Sequence, residues 1–395
     1  MDTCRATLAV LLSLLLPTAG AAAEIGGPIR GLSPEELQAF TDGQAAFATD
    51  EDVGDGLGPV FNGTSCAGCH NAGATGGGSE AVETRFGTTT RGAFDPLTDL
   101  GGSLIQSNGI GIQGACDFVA EHVPPEATIV AERRTTPLFG HGLVDAVPDA
   151  ALIALAGRQA RRQPETAGRP NMVTDVITGR TVVGRFGWKS QVPNLLQFSA
   201  DAYLNEMGIT TPLFPSENCP QGDCDLLACD PVPGVDDDLE DVELFRDFMR
   251  FLGPPSAADA KRAMRRTRGA RAAADATRLF ARTGCANCHV GTLSTGDSDS
   301  AALRAQTFHP YSDFLLHDMG SLSDGIEQGD ASGAEMRTAP LWGLRFITTF
   351  LHDGRAQTIE EAILAHDGQG RMARDRFAGL SPAEQASLVA YLRTL

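Results

Sequence analysis

Apolar residues return at helical spacing in a few well-punctuated stretches. Ser33-Pro34-Glu35-Glu36 places a serine at an N-cap, a proline at the first helical position and a glutamate three residues after the cap, which together form a capping box. Leu37, Phe40 and Phe47 then supply an apolar stripe, so a helix is expected from residue 34. Two more are expected: one through Leu195 to Met207, and one ending at Leu252, where Gly253-Pro254-Pro255 stops it. Ala276, Leu279, Phe280 and Thr283 share one stripe of a further helix. Thr358-Ile359-Glu360-Glu361 is a second capping box, and it leads into Ile359, Ala362, Ile363 and His366 on a single face. Ser381-Pro382-Ala383-Glu384 is a third, opening a last helix with Leu388, Tyr391, Leu392 and Leu395 on one side. Residues 173–177 and 180–183, joined by Thr178-Gly179, read as a small hairpin. The Gly-rich stretch from Val53 to Gly87 predicts no regular element. The expected class is mainly α, with a small β-hairpin and loop-rich insertions.

Two of these stretches frame a strong motif. The helix ending at Thr283 runs into Cys285-Ala286-Asn287-Cys288-His289, and Cys66-Ala67-Gly68-Cys69-His70 repeats the pattern near the other end of the chain. Cys-x-x-Cys-His is the attachment site of a c-type haem: the two thiols add to the porphyrin vinyl groups and the adjacent imidazole ligates the iron. On a helical turn, positions i, i+3 and i+4 share a face, so both sulfurs and the imidazole address one porphyrin. The competing reading is a zinc or redox Cys-x-x-Cys. Two covalently bound haems are expected, held by Cys66, Cys69 and His70 and by Cys285, Cys288 and His289. His366 lies on an apolar face, where a buried imidazole needs a polar partner. An iron is such a partner, so His366 is the candidate for the far side of the C-terminal haem, ahead of His352, His317 and His309.

Arg134-Thr135-Thr136-Pro137-Leu138-Phe139-Gly140 and Arg337-Thr338-Ala339-Pro340-Leu341-Trp342-Gly343 agree at most positions, and each follows one haem motif. The chain thus reads as two copies of a haem domain. The expected boundaries are 24–255 for the N-terminal domain with its insertion and 256–395 for the C-terminal domain, the basic stretch to Arg271 being the start of the latter and a linker. Cys116, Cys219, Cys224 and Cys229 lie outside the motifs; two disulfides account for them, with three pairings open. Asp236, Asp237, Asp238, Glu240 and Asp241 offer either a calcium site or acidic caps for the helix that follows.

Composition adds two constraints. The formal charge is −19, from 50 acidic against 31 basic residues, which argues against a nucleic-acid partner and for a basic or neutral one. Met1 to Ala23 reads as an export signal: an apolar core from Leu8 to Leu16, a break at Pro17 and small residues before Glu24. Cleavage near Ala23 would deliver the chain to an oxidising compartment where disulfides persist, and no other stretch is long and apolar enough to span a bilayer.

The helix before the second haem motif and the apolar terminal helix together resemble the cytochrome c domain, where such helices cross and pack. Residues 309–320, Arg337 to Gly343, and His352-Asp353-Gly354-Arg355-Ala356 through His366 resemble the bacterial di-haem oxidoreductase family. Gly184 to Lys189 and Asn205-Glu206-Met207-Gly208-Ile209-Thr210 resemble it too. The family is related to the di-haem cytochrome c peroxidases and is also labelled thiol oxidoreductase. The resemblance implies a periplasmic redox protein that takes electrons from a small periplasmic donor protein and has hydrogen peroxide as its substrate. It also implies that the axial residue fourteen places after His352, commonly Met in the peroxidases, is His366 here. For the far side of the first iron the resemblance favours Met207 over Met172, His141 and Lys189; an iron open on that side is the arrangement a peroxidase needs. His122, His141, Glu121 and Arg185 are candidate proton-handling residues. Trp188 or Trp342 would relay electrons between haems, as in the peroxidases. The alternatives are a pure electron carrier with both irons six-coordinate, and an oxidase of a thiol or protein side chain.

Overall fold

The computed structural model describes residues 25–256 and 274–395; the export signal and most of the basic linker lie outside them. The capping boxes act as the sequence demands. Ser33 Oγ accepts the Glu36 amide while Glu36 returns a carboxylate to the Ser33 amide, starting α1 (Pro34–Phe47). The first haem motif forms a single turn, α2 (Cys66–Cys69). Next come α3 (His141–Asp145), α4 (Asp149–Arg162), α5 (Leu195–Met207) and α6 (Glu240–Phe251). Beyond the undescribed stretch lie α7 (274–283), α8 (Ile359–Leu364), α9 (Arg371–Ala378) and α10 (Pro382–Leu392).

The helices are organised by two apolar cores. In the larger, α1 packs on α6, with Phe47 4.8 Å and Phe40 5.4 Å from Phe248 between ring centres. Gly43 makes that approach feasible: a Cβ there would lie 2.3 Å from the Leu244 carbonyl oxygen. This core also takes in Leu303, Phe308, Phe314 and Trp342 from the C-terminal half. In the smaller core α7 packs on α10, Phe280 standing 5.9 Å from Tyr391 with Leu279, Leu388 and Leu392 beside them. Each half therefore has a helix pair next to its haem motif.

Strand is more widespread than the sequence suggested. Besides the expected hairpin, Met172–Thr174 against Thr181–Val183, the described residues hold five further small sheets. The one with three strands pairs Val82–Thr90 with both Ala93–Asp95 and Ile129–Arg134. The reading of residues 53–87 as wholly irregular is corrected by this strand, by Val60–Phe61 and by α2. The polar face of the long strand hid it: Glu83 and Arg85 form an ion pair instead of showing an apolar alternation.

Among the described residues the four cysteines outside the motifs pair as Cys116–Cys229 and Cys219–Cys224, and the thiols left free are those of Cys66, Cys69, Cys285 and Cys288; Cys4 lies outside the described residues.

Candidate haem sites

The two motifs fold alike. His70 donates its amide to the Cys66 carbonyl at 2.9 Å and His289 donates its amide to the Cys285 carbonyl at 2.9 Å, so each places cysteine, cysteine and histidine around one turn. In the C-terminal motif the turn is entered through Gly284, whose φ of 96° suits glycine. Helix α4 braces that loop from the other half of the chain, with Gln159 and Gln163 both donating to the Asn287 carbonyl.

His289 faces His366 across a cavity, with ring centres 6.5 Å apart. Metal–imidazole nitrogen bonds of about 2 Å on each side, plus the distance from nitrogen to ring centre, separate two axial imidazoles by roughly 6 Å. The donor atoms are also prepared. His289 Nδ1 bonds the Tyr311 carbonyl at 2.9 Å and His366 Nδ1 bonds the Ala362 carbonyl at 2.7 Å. With the Nδ1 proton engaged, Nε2 keeps its lone pair, the arrangement seen in metal-ligating histidines. Burial pushes the His289 pKa down to about 4 and lowers that of His366, so both rings are neutral. Ile359, Ala362, Ile363 and His366 all line the cavity, as the apolar face of α8 requires. The residues present therefore fit a haem between His289 and His366.

His70 is half-buried, and desolvation pushes its pKa down to about 4, with Nδ1 3.2 Å from the Gly77 carbonyl. Its ring packs on Phe47. Met207, the family-based candidate for the opposite face, ends α5 inside the larger core, against which Cys66 and Ala67 of the first motif also pack. His141 lines the cavity that holds His289 and His366. That ring is buried against Phe186 and Phe198, its Nδ1 has no hydrogen-bond partner, and it lies within electrostatic reach of His70.

Other candidates fall into place around these. His317 is buried against Asp313, Nε2 to carboxylate 3.0 Å, with Nδ1 3.6 Å from Cys288 Sγ. Burial opposes charge on this ring, but Asp313 outweighs it and holds the imidazole protonated well above its usual range. His309 is exposed beside Thr292. The acidic run before α6 works as a cap: Asp237 accepts the amides of Leu239 and Asp241, and Asp236 accepts both the amide and hydroxyl of Thr210. It makes no convergent metal-ligand group among the described residues, where that arrangement occurs only at Cys288, Asp313 and His317.

The repeat is structural as well as sequential. Gly140 (φ 74°) and Gly343 (φ 81°) each cap the start of a short helix in the left-handed conformation, and Arg134 and Arg337 are both buried. Trp188 bridges the copies, donating Nε1–H to the Arg134 carbonyl at 3.0 Å and accepting the Arg337 amide at 2.9 Å.

Residues 118–395 match a family model described as "Di-haem oxidoreductase, putative peroxidase". The chain belongs to the di-haem oxidoreductase family. Membership makes haem its cofactor, as the facing imidazoles require. No match was found among curated proteins. Among solved structures the chain is similar to Kuenenia stuttgartiensis hydrazine synthase, at 17% identity and TM-score 0.37, covering 99% of this chain and 100% of that one. A MauG-like protein associated with microbial copper homeostasis matches at 16% identity and TM-score 0.39, covering 98% and 95%. The di-haem peroxidase BthA from Burkholderia thailandensis matches at 16% and 0.42, covering 92% and 86%. No helix among the described residues is long and apolar enough to cross a membrane.

Proposed function

We propose that this di-haem oxidoreductase is an exported c-type cytochrome that acts as a peroxidase, passing electrons between two covalently bound haems to reduce hydrogen peroxide. The observation that carries the reading is the His289–His366 pair, spaced for one iron with both Nδ1 atoms already engaged. Cys66 and Cys69, and Cys285 and Cys288, would form the thioethers; each pair of free thiols sits one turn from a half-buried imidazole. His70 and His289 would be the proximal ligands. Bound there, the haems supply iron that cycles between ferric and ferrous states.

His366 closes the far face of the C-terminal site, so that site suits electron entry, and peroxide is expected to meet the N-terminal one. Trp188, hydrogen-bonded to both copies of the repeat and 6.2 Å from the His352 ring, lies on the route between them. Two disulfides beside four free motif thiols support an oxidising, periplasmic setting. The acidic chain favours a small electron donor with a basic or neutral docking face.

The test is carbon monoxide binding to the fully reduced protein, followed by peroxide addition. One haem is expected to bind carbon monoxide, and one peroxide to remove two electrons. A second reading, an electron carrier with both irons closed, is favoured by the buried, unpartnered His141 near His70. It would be established by two low-spin haems indifferent to both reagents, and a protein that loses its colour on acid extraction would refute both readings.

A further inference from the structure

The cavity contains a charge imbalance that neither axial ligation nor thioether attachment explains. Arg134 and Arg337, the first residues of the two repeat segments, are 7% and 6% exposed, and both line the cavity. A guanidinium so deeply buried normally has a carboxylate within hydrogen-bond reach, because leaving it unpaired costs several kcal/mol. Neighbouring buried cations obey that rule: Arg133 and Lys189 share Asp324 at 2.7 and 2.8 Å, and Arg185 holds Asp149 at 2.6 Å. Among the described residues neither repeat arginine has such a partner.

Both are held by neutral groups instead. Arg337 gives its Nε–H to the Gly187 carbonyl at 2.6 Å, and its two terminal nitrogens make no hydrogen bond among the described residues. Arg134 bonds the carbonyls of Thr349 and Ser79, and its Nε is left without a partner. The nearest acids act only from a distance, Asp313 on Arg337 and Glu80 on Arg134. Burial lowers the Arg337 pKa to about 10, which still leaves it charged at neutral pH.

Position ties each arginine to one site. The segment begun by Arg134 lies on the loop that follows His70: Leu138 donates to the Gly76 carbonyl and Thr135 to Ala81. The segment begun by Arg337 lies on the loop that holds His289: Leu341 donates to Pro310 and Ser312 Oγ to the Thr338 carbonyl, while Tyr311 between them accepts from His289. Each repeat segment thus carries one backbone-anchored guanidinium without a carboxylate partner, Arg134 reaching Ser79 on the loop after His70 and Arg337 lying within electrostatic reach of Asp313 beside the C-terminal motif.

We propose that Arg134 and Arg337 are the carboxylate-binding residues of the two sites, Arg134 receiving a propionate of the N-terminal haem and Arg337 a propionate of the C-terminal haem. The planar fork of a guanidinium matches a carboxylate, and the low-dielectric surroundings strengthen the pairing. A paired arginine also favours the reduced iron, because its charge offsets the propionate that would otherwise stabilise the ferric form. The inference rests on the di-haem reading above.

The experiment is a spectroelectrochemical titration of the holoprotein and of Arg337→Gln, Arg337→Lys and Arg134→Gln. Arg337→Gln is expected to move the midpoint of the C-terminal haem to more negative potential and leave the other in place. Arg134→Gln should do the converse, and Arg337→Lys should recover most of the shift. Folded Gln variants with unchanged midpoints, or a shift of both haems by either variant, would overturn the assignment. If the Gln variants do not accumulate, resonance Raman spectra of the unmodified protein decide: propionate bending bands constant from pH 5 to 9 support arginine pairing, and bands that titrate in that range refute it. Absence of any haem spectrum would instead refute the di-haem reading itself.

Discussion

The two halves of this oxidoreductase share a motif and a repeat segment, but they differ in how they treat buried acid. In the C-terminal half, Asp324 is surrounded by Arg133 and Lys189, which overcome the effect of burial and hold its pKa down. Glu335 is held down likewise, Arg169 and Ser332 outweighing burial. In the N-terminal half Glu83 is also held down, by Arg85 and Arg133, but at several other acids burial wins. It pushes Glu51, Asp145 and Asp201 up to about 6, Glu206 to about 8 and Glu217 to about 9. The C-terminal half is thus built as a rigid, charge-compensated holder with two prepared imidazoles. Glu206, within electrostatic reach of Cys69, thereby stays protonated at neutral pH, which suits a site proposed to reduce hydrogen peroxide to water. The comparison supports the proposal that electrons enter at the C-terminal half and substrate reacts at the N-terminal one.

Removing a proximal ligand tests the division most severely. His289→Ala should abolish the normal spectrum of one haem and leave the other intact, and His70→Ala should do the reverse; the check is the absorption spectrum of each reduced variant. If either substitution erased both signals, the halves would not be separate centres. Next in size is His366→Gly. It opens the C-terminal site, so that haem should become high-spin and bind carbon monoxide, read by electron paramagnetic resonance. An unchanged low-spin signal would mean that another residue closes the site.

The two disulfides of the N-terminal half differ in the loops they close. Cys116–Cys229 closes a loop across 113 residues, whereas Cys219–Cys224 spans 5. On chain-entropy grounds the first contributes about 4–5 kcal/mol and the second roughly 2 kcal/mol. Cys116→Ser should therefore lower the denaturation midpoint of the N-terminal half well below that caused by Cys219→Ser. Chemical denaturation followed at the N-terminal haem measures both, and equal losses would show that loop length is not what matters.

The stored acids give a pH signature. Glu206 and Glu217 have folded pKa values raised above their unfolded ones, so the folded state binds more protons between about pH 4.5 and 9. Their contribution is complete below the unfolded pKa and is lost as pH rises through the folded one. The N-terminal half should lose stability toward alkaline pH while the C-terminal half, with its acids held low, does not. Glu217→Gln should flatten that loss, because an amide stays neutral and keeps a donor toward Asp236 at every pH. Thermal melts at pH 6 and 9 give the answer, and an equal alkaline loss in both halves would contradict the comparison.

How much of this was legible in the sequence depends on where the information is stored. Capping boxes at Ser33, Thr358 and Ser381 are local, and each acts as written. The apolar face that carries His366 was also local, and it brought the ring opposite His289. What escaped is non-local. The strand Val82–Thr90 turns Glu83 and Arg85 toward each other and toward Arg133, so its partly buried positions look polar until the partners are known. The β-branched run Thr88-Thr89-Thr90 was the one signal available. Helix α4 passed unnoticed, although its buried Leu152 and Leu155 are at helical spacing, and its Gln159 reaches the second haem motif. The disulfide pairing, the ion pair of His317 with Asp313 and the unpaired state of Arg134 and Arg337 depend on residues far apart in the chain, which spacing alone does not reveal. The choice of Met207 for the first iron came from family resemblance alone; the structure buries that side chain in the larger core, on which Cys66 and Ala67 pack.

The smallest effect separates stability from ligation. Ser33 caps α1 and Thr358 caps α8 through the same reciprocal hydrogen bonds, so Ser33→Ala and Thr358→Ala should each cost about 1 kcal/mol. Their consequences for the iron should differ. Helix α1 contributes Phe40 and Phe47 to the larger core and supplies no ligand, so its loss of capping lowers only the melting temperature. Helix α8 is six residues long, and its last turn positions His366 through the Nδ1 bond to the Ala362 carbonyl. Fraying from its start weakens that bond, and with it the hold of His366 on the far side of the C-terminal haem. Thr358→Ala should therefore speed carbon monoxide binding to the reduced C-terminal haem severalfold, about what a 1 kcal/mol change in the open fraction allows, whereas Ser33→Ala leaves that rate alone. Equal rates in the two variants would mean that His366 is held by the packing of Ile359 and Ile363 rather than by the helix start.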